Sequence, residues 1–196
     1  ALAGCMAVEP PPPPPPEIQP LSYSTMADAG HRIPAVDLAR IPLEYHRQVV
    51  PWASAEGPGT VVIDTTARHL FLVLGDGYAL RYGISVGREG FGWSGVAQVS
   101  ALRPWPSWTP PPEMIRRQPD LARWAEGQPG GPSNPLGARA IYLVDEAGID
   151  RGYRIHGTPE WRSIGKAASS GCFRMLNQDV IDLYGRVMRG TRVVVL

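Results

Sequence analysis

The sequence predicts a mainly β domain, a sandwich or partly closed barrel with a few short helices and one C-terminal helix, from three observations. Glycine and proline number 22 each among 196 residues, which breaks the chain with turns rather than carrying it through long helices. Runs rich in β-branched and aromatic residues recur from Thr60 onward, a composition that suits a pleated, half-buried surface. One segment near the C-terminus repeats its apolar residues at clear helical spacing.

Taken in order, residues 1–20 read as a tail, 21–58 as a segment wrapping the domain surface as loops with one short helix, and 59–196 as the folded domain. Pro10 to Pro16 is unbroken proline, which forces extended polyproline II and makes a stiff spacer of roughly 20 Å. Ahead of it, Ala1-Leu2-Ala3-Gly4-Cys5 resembles the end of a bacterial lipoprotein signal. That likeness implies a lipid on Cys5 and membrane attachment through it. Intact-mass analysis showing an unmodified N-terminus in the native host would overturn this expectation.

Thr60 to Asp64 and His69 to Leu74 read as strands, and Gly75-Asp76-Gly77 leads into a third run, Tyr78 to Val86. Asp-Gly between two such runs is a hairpin signal, because both residues tolerate positive φ. Gly95 to Leu102, Ala138 to Val144 and the short Tyr153 to His156 are further strands. Glu113 to Trp124 should form short helical pieces broken at Pro119. The Trp-rich segment 93 to 108, with Trp93, Trp105 and Trp108, is expected to pack on the β core and line part of a substrate groove. In the last helix Asn177 can act as cap, Asp179 and Asp182 sit near the positive end, and Val180, Leu183, Tyr184 and Val187 share a face. Gly190 should end that helix, and Thr191 to Leu196 close the chain as a strand.

Lysine plus arginine (19) nearly balance aspartate plus glutamate (18) and are scattered, so no electrostatic footprint for nucleic acid is present. No run of eighteen apolar residues occurs, so no helix spans a membrane. No Cys/His ligand spacing points to a metal, and no cofactor is expected. The two cysteines, Cys5 and Cys172, lie on opposite sides of the proline run, which argues against a disulfide between them.

Cys172 follows Gly171 and precedes the last helix by a few residues. Its sulfur should therefore sit on a tight turn beside backbone N–H groups that favour a thiolate and, later, an oxyanion. His156 ends a strand and is followed by Gly157, which leaves room for the imidazole or for a turn. A positioned imidazole can activate a thiol, and Arg174 can add positive potential or bind a carboxylate. Spacing alone leaves a buried thiol and a surface imidazole equally open. His31, His46 and His69 read as surface residues.

The strings His156-Gly157-Thr158, Ile164-Gly165-Lys166-Ala167 and Ser169-Ser170-Gly171-Cys172-Phe173-Arg174-Met175 resemble the active-site signature of the L,D-transpeptidase (YkuD-type) catalytic domains. The likeness runs from about Pro58 to Leu196 and includes Tyr82 to Gly87 and Asn134-Pro135-Leu136-Gly137. It implies that 59–196 is the catalytic domain of a periplasmic enzyme acting on peptidoglycan stem peptides. Cys172 would attack the amide after the third residue of a tetrapeptide stem, release D-alanine and pass the acyl group to an amine, from another stem or an envelope protein. His156 would serve as base and then acid, oriented by the Gly157 carbonyl. The N–H groups of Gly171 and Cys172 would form the oxyanion hole, with Ser169 and Arg174 shaping the site. Many family members carry histidine where this chain has Ser170, which puts donor or acceptor preference in question. An endopeptidase or carboxypeptidase that gives the same thioester to water is the near alternative. A non-catalytic lipoprotein that tethers the envelope by binding glycan through its Trp-rich loops is the different-class one.

Overall fold

The computed structural model describes residues 13–87, 93–169 and 171–196, with Ser169 described by its main chain alone. The lipidation candidate Cys5, most of the tail and Ser170 lie outside the described residues. The strands, in chain order, are β1 (Met26–Asp28), β2 (His31–Ile33), β3 (Gln48–Pro51), β4 (Val61–Asp64), β5 (His69–Gly75), β6 (Tyr78–Gly83) and β7 (Val86–Gly87). They continue as β8 (Gly95–Pro104), β9 (Arg139–Asp145), β10 (Arg154–Thr158), β11 (Ala167–Ser169), β12 (Phe173–Leu176) and β13 (Arg192–Val195). Two helices, α1 (Pro112–Arg117) and α2 (Asn177–Tyr184), and short 3-10 turns complete the fold.

The domain is mainly β as expected, built on one mixed nine-stranded sheet, ordered β12-β10-β9-β8-β13-β4-β5-β6-β3, that does not form a closed barrel. The sheet curls. Ser85, just past β6 near one end, exchanges hydrogen bonds with Arg174 of β12 at the other (Ser85 N to Arg174 O 2.9 Å, Arg174 N to Ser85 O 2.8 Å). Curling lets strands from both ends fill a single core, where Leu70, Leu80 and Tyr82 join Ile155, Phe173 and Met175 around Val180 and Leu183 of α2. The Asp-Gly signal marks the β5–β6 hairpin, where Gly75, Asp76 and Gly77 all take positive φ (95°, 51° and 80°).

Two expectations change. Segment 21–58 is more ordered than loops: β1 and β2 form a hairpin, and β3 joins the edge of the large sheet. Asp28 anchors the hairpin, accepting from Arg139 Nη1 and Nη2 (2.7 and 2.8 Å) and Trp105 Nε1 (2.7 Å). The last helix also ends at Tyr184, with Gly185 as its C-cap, well before Gly190. Asn177 is its first residue rather than its cap, because its Oδ1 is already committed to Ala138 N (2.9 Å).

The remaining histidines are partly exposed and each makes a contact. His46 Nε2 lies 2.8 Å from Ile41 O, His69 Nε2 lies 3.0 Å from Glu44 O, and the His31 ring packs 4.3 Å from that of Trp105. Each ties the 21–58 segment to itself or to the domain.

Candidate active site

Strand register places the chemistry. β10 and β12 run parallel, with Ile155 beside Phe173 and His156 beside Arg174. Ile155 and Phe173 both enter the core. Because side chains alternate across a strand, Arg154, His156 and Arg174 therefore project from the opposite face. Cys172 immediately precedes Phe173 and continues that alternation alongside Arg154. Main-chain pairing thus brings the predicted thiol, imidazole and guanidinium to one face of two adjacent strands, although sixteen residues separate Cys172 from His156.

His156 is buried at 4% exposure, and its Nδ1 lies 2.6 Å from Gly157 O. A carbonyl only accepts, so Nδ1 carries the hydrogen and Nε2 keeps its lone pair. Burial lowers the imidazole pKa to about 4, helped by the positive charges of Arg174 and Arg154 and opposed by the Gly157 hydrogen bond. Near neutrality the ring is therefore an uncharged base. Cys172 is partly exposed, and its thiol donates to Gly152 O at 3.6 Å. Burial of the sulfur raises its pKa, while a backbone hydrogen bond from Arg154 and the charges of Arg154 and Arg174 pull the other way. At rest the pair is thus neutral thiol and neutral imidazole.

The glycine after His156 is needed for space. A Cβ at Gly157 would collide with Asn177 Oδ1 and come within 3.1 Å of Ala138 N and Val180 Cγ1. A Cβ at Gly137 would strike the same Oδ1, and Gly137 also takes φ 62°. Asn177 Oδ1 is wedged between two glycines, so α2, the Asn134–Gly137 turn and the strand bearing His156 lock together. Asn134 fixes that turn further: its Nδ2 donates to the carbonyls of Pro106, Gln128 and Pro129, and its Oδ1 accepts from Leu136 N. Gly171 takes φ 116°, a conformation L side chains rarely adopt.

Arg174 reaches Glu160 at 3.4 Å. Arg154 pairs with Asp150 (3.3 Å) and lies over the Tyr142 ring at 4.8 Å. Sequence reasoning missed Arg154 and Glu160 and read Asn177 only as a helix cap. Arg154 had a readable signal, since it lies two residues before His156 on the same strand and so shares its face. Glu160 and Asn177 had none, because their contacts depend on loop and helix placement. Ser85, buried beside Arg174, has no hydrogen-bond partner for its hydroxyl among the described residues. Ser169 closes β11, which pairs with β7. Among the described residues no cluster of three or more His, Cys, Asp or Glu could hold a metal ion, and no helix is long and apolar enough to cross a membrane.

A model of the YkuD family, described as the L,D-transpeptidase catalytic domain, matches residues 58–195. The "Probable L,D-transpeptidase ErfK/SrfK" of Escherichia coli strain K12 is 38% identical over 105 residues, covering 52% of this chain and 31% of that protein. The chain spans under half the length of the curated relatives it matches most strongly. A crystal structure from Brucella melitensis, named a probable carnitine operon oxidoreductase caia, is 48% identical, with a TM-score of 0.54 over 82% of this chain and 99% of that one. L,D-transpeptidase 3 from Mycobacterium tuberculosis shares the fold at 16% identity, with a TM-score of 0.53 over 71% of this chain and 62% of that one.

Proposed function

The chain belongs to the L,D-transpeptidase catalytic domain family, and from that premise we propose that it is a cysteine acyltransferase acting on peptidoglycan stem peptides in the periplasm. The observation that carries this reading is the register of β10 and β12, which sets a neutral, Nδ1-protonated His156 and the Cys172 turn on one face. Nε2 of His156 takes the thiol proton as sulfur attacks the carbonyl of the third stem residue. The Gly171 and Cys172 N–H groups stabilise the tetrahedral oxyanion. The imidazolium then gives its proton to the departing D-alanine amine, leaving a thioester. An acceptor amine attacks that thioester, loses its proton to Nε2, and the thiol is restored. Arg174 and Arg154 favour the thiolate as it forms and disfavour a resting imidazolium, so the base stays ready.

The family match runs over residues 58–195, the segment that holds both Cys172 and His156. Incubation with tetrapeptide muropeptides, with and without an acceptor amine, tests the reading. Cross-linked or amine-capped products together with free D-alanine are expected. Shortened stems alone under both conditions would replace transfer by hydrolysis of the same thioester.

A further inference from the structure

Away from the thiol, a cavity of about 130 Å³ opens where segment 21–58 meets the end of β10 and the start of α2. Arg32 and Pro34 form one side, and Trp105, Trp161, Asn177 and Gln178 the other. Arg32, Ile33, Pro34 and Val36 of this wall precede the segment matching the family. Gln178 is 1% exposed. Its Nε2 donates to Pro34 O at 3.1 Å, while its Oε1 is buried with no partner. A buried amide oxygen left unpaired costs about 1–3 kcal/mol, and Gln178 lines the cavity, so a ligand donor there would offset that cost. The neighbouring Asn177 spends its Oδ1 on Ala138 N, and no hydrogen bond uses its Nδ2 among the described residues. α2 starts here with no side-chain cap on its N-terminus, leaving donors at the same wall.

An acceptor and a donor in a cavity also lined by two indoles and a proline fit a planar secondary amide whose N–H would meet Gln178 Oε1 and whose oxygen would meet Asn177 Nδ2. The volume suits a small group such as acetamido, with a ring packing its C–H face on the indoles outside. Position agrees, on the footing of the stem-peptide reading above. Thr158 lines the cavity and pairs with Leu176, four residues beyond Cys172, which is ~13 Å at the usual strand rise. Three extended residues plus a linking acyl group, running from the attacked amide back to the glycan, span a comparable ~10–14 Å.

We propose that this cavity is a subsite for the acetamido group of an N-acetylated amino sugar, the sugar that bears the donor stem. The test titrates full-length Cys172→Ala protein with N,N′-diacetylchitobiose, the deacetylated disaccharide and an N-acetylated dipeptide amide, following the indole N–H signals of Trp105 and Trp161 by NMR. A saturable shift of both signals with the acetylated sugar is expected, at least about tenfold weaker without the acetyl groups and in Gln178→Met. Trp161→Ala, which leaves the Gln178–Pro34 bond intact, should weaken binding to a similar degree. Equal binding of the deacetylated sugar, no response at either indole, or tighter binding of the dipeptide amide would overturn the assignment. In the wild-type background, Gln178→Met should raise KM for the sugar-bearing muropeptide more than for the sugar-free tetrapeptide. Failure of wild-type protein to turn over the sugar-free tetrapeptide would count against the acyltransfer reading alone, since the titration needs no thiol.

Discussion

Replacing Gly157 with alanine probes the coupling between packing and chemistry. The added methyl would collide with Asn177 Oδ1 and press on Ala138 N and Val180 Cγ1 at 3.1 Å. Relief requires either breaking the buried Asn177 Oδ1 to Ala138 N bond or pushing β10 away from α2. An unsatisfied buried partner costs about 1–3 kcal/mol and overpacking a similar amount, so by either route the variant should lose about 1–3 kcal/mol. Displacement of β10 by about 1 Å also moves the Gly157 carbonyl that orients His156, and misplacement on that scale costs on the order of 100-fold in rate. Urea unfolding gives the first quantity. Acylation by a carbapenem, followed by stopped-flow fluorescence on the fraction still folded, gives the second. Wild-type stability together with wild-type acylation would refute the argument that this glycine is required for space. Normal stability with slow acylation would refute the packing half of it.

Other perturbations test separate parts of the structure. Asp179 is fully buried, accepts from Tyr23 OH at 2.5 Å, and has its pKa raised by burial to about 7; the native state therefore holds a proton that the unfolded chain has lost, and stability falls as pH rises from about 4 to 7. Asp179→Asn removes that dependence, so the variant should gain on wild type by up to about 4 kcal/mol across this window in paired urea titrations, and a gap independent of pH would contradict it. His156 acts in the opposite sense: its pKa is depressed to about 4, so its contribution to stability is complete above about pH 6.5 and fades as pH falls toward 4. The pH profile of acylation should accordingly carry an acid limb near 4, and a limb near 6.5 would place the ring in a more solvated setting. Cys172, held above its ordinary pKa by burial, should react with iodoacetamide at pH 7 more slowly than a solvent-exposed cysteine, and Arg154→Gln should slow it further. Asp28→Asn should cost roughly 2–3 kcal/mol near neutrality by leaving Arg139 without its carboxylate and should speed proteolysis within residues 21–58; unchanged protease resistance would show that the hairpin is held by other contacts.

The β runs were legible because each signals itself locally. Thr60 to Asp64 and His69 to Leu74 alternate and branch like strands, and Gly75-Asp76-Gly77 can only turn. The segment before Thr60 was not legible. The pairing of Gln48–Pro51 with β6 and the anchoring of Asp28 by Arg139, 111 residues away, are long-range contacts without a local pattern. The single curled sheet was hidden for the same reason, since the Ser85–Arg174 link is a tertiary event. Asn177 shows how a sound local rule can lose: a residue suited to capping was taken by a buried amide, and α2 started without a cap. At the site, Cys172, His156 and Arg174 stood out by their motif. Their common face followed only once β10 and β12 were seen to be parallel neighbours, because 159–171 could have routed β12 elsewhere.

The most direct measurement is intact-mass and peptide-mapping spectrometry of the protein after exposure to a carbapenem, comparing wild type, Cys172→Ala and His156→Ala. A single acyl adduct mapped to Cys172 in wild type is predicted, with none on Cys172→Ala and adduct formation slowed about 10²- to 10⁴-fold in His156→Ala. An adduct that persists in Cys172→Ala, or a His156→Ala protein that acylates at the wild-type rate, would contradict a thiol nucleophile served by this imidazole.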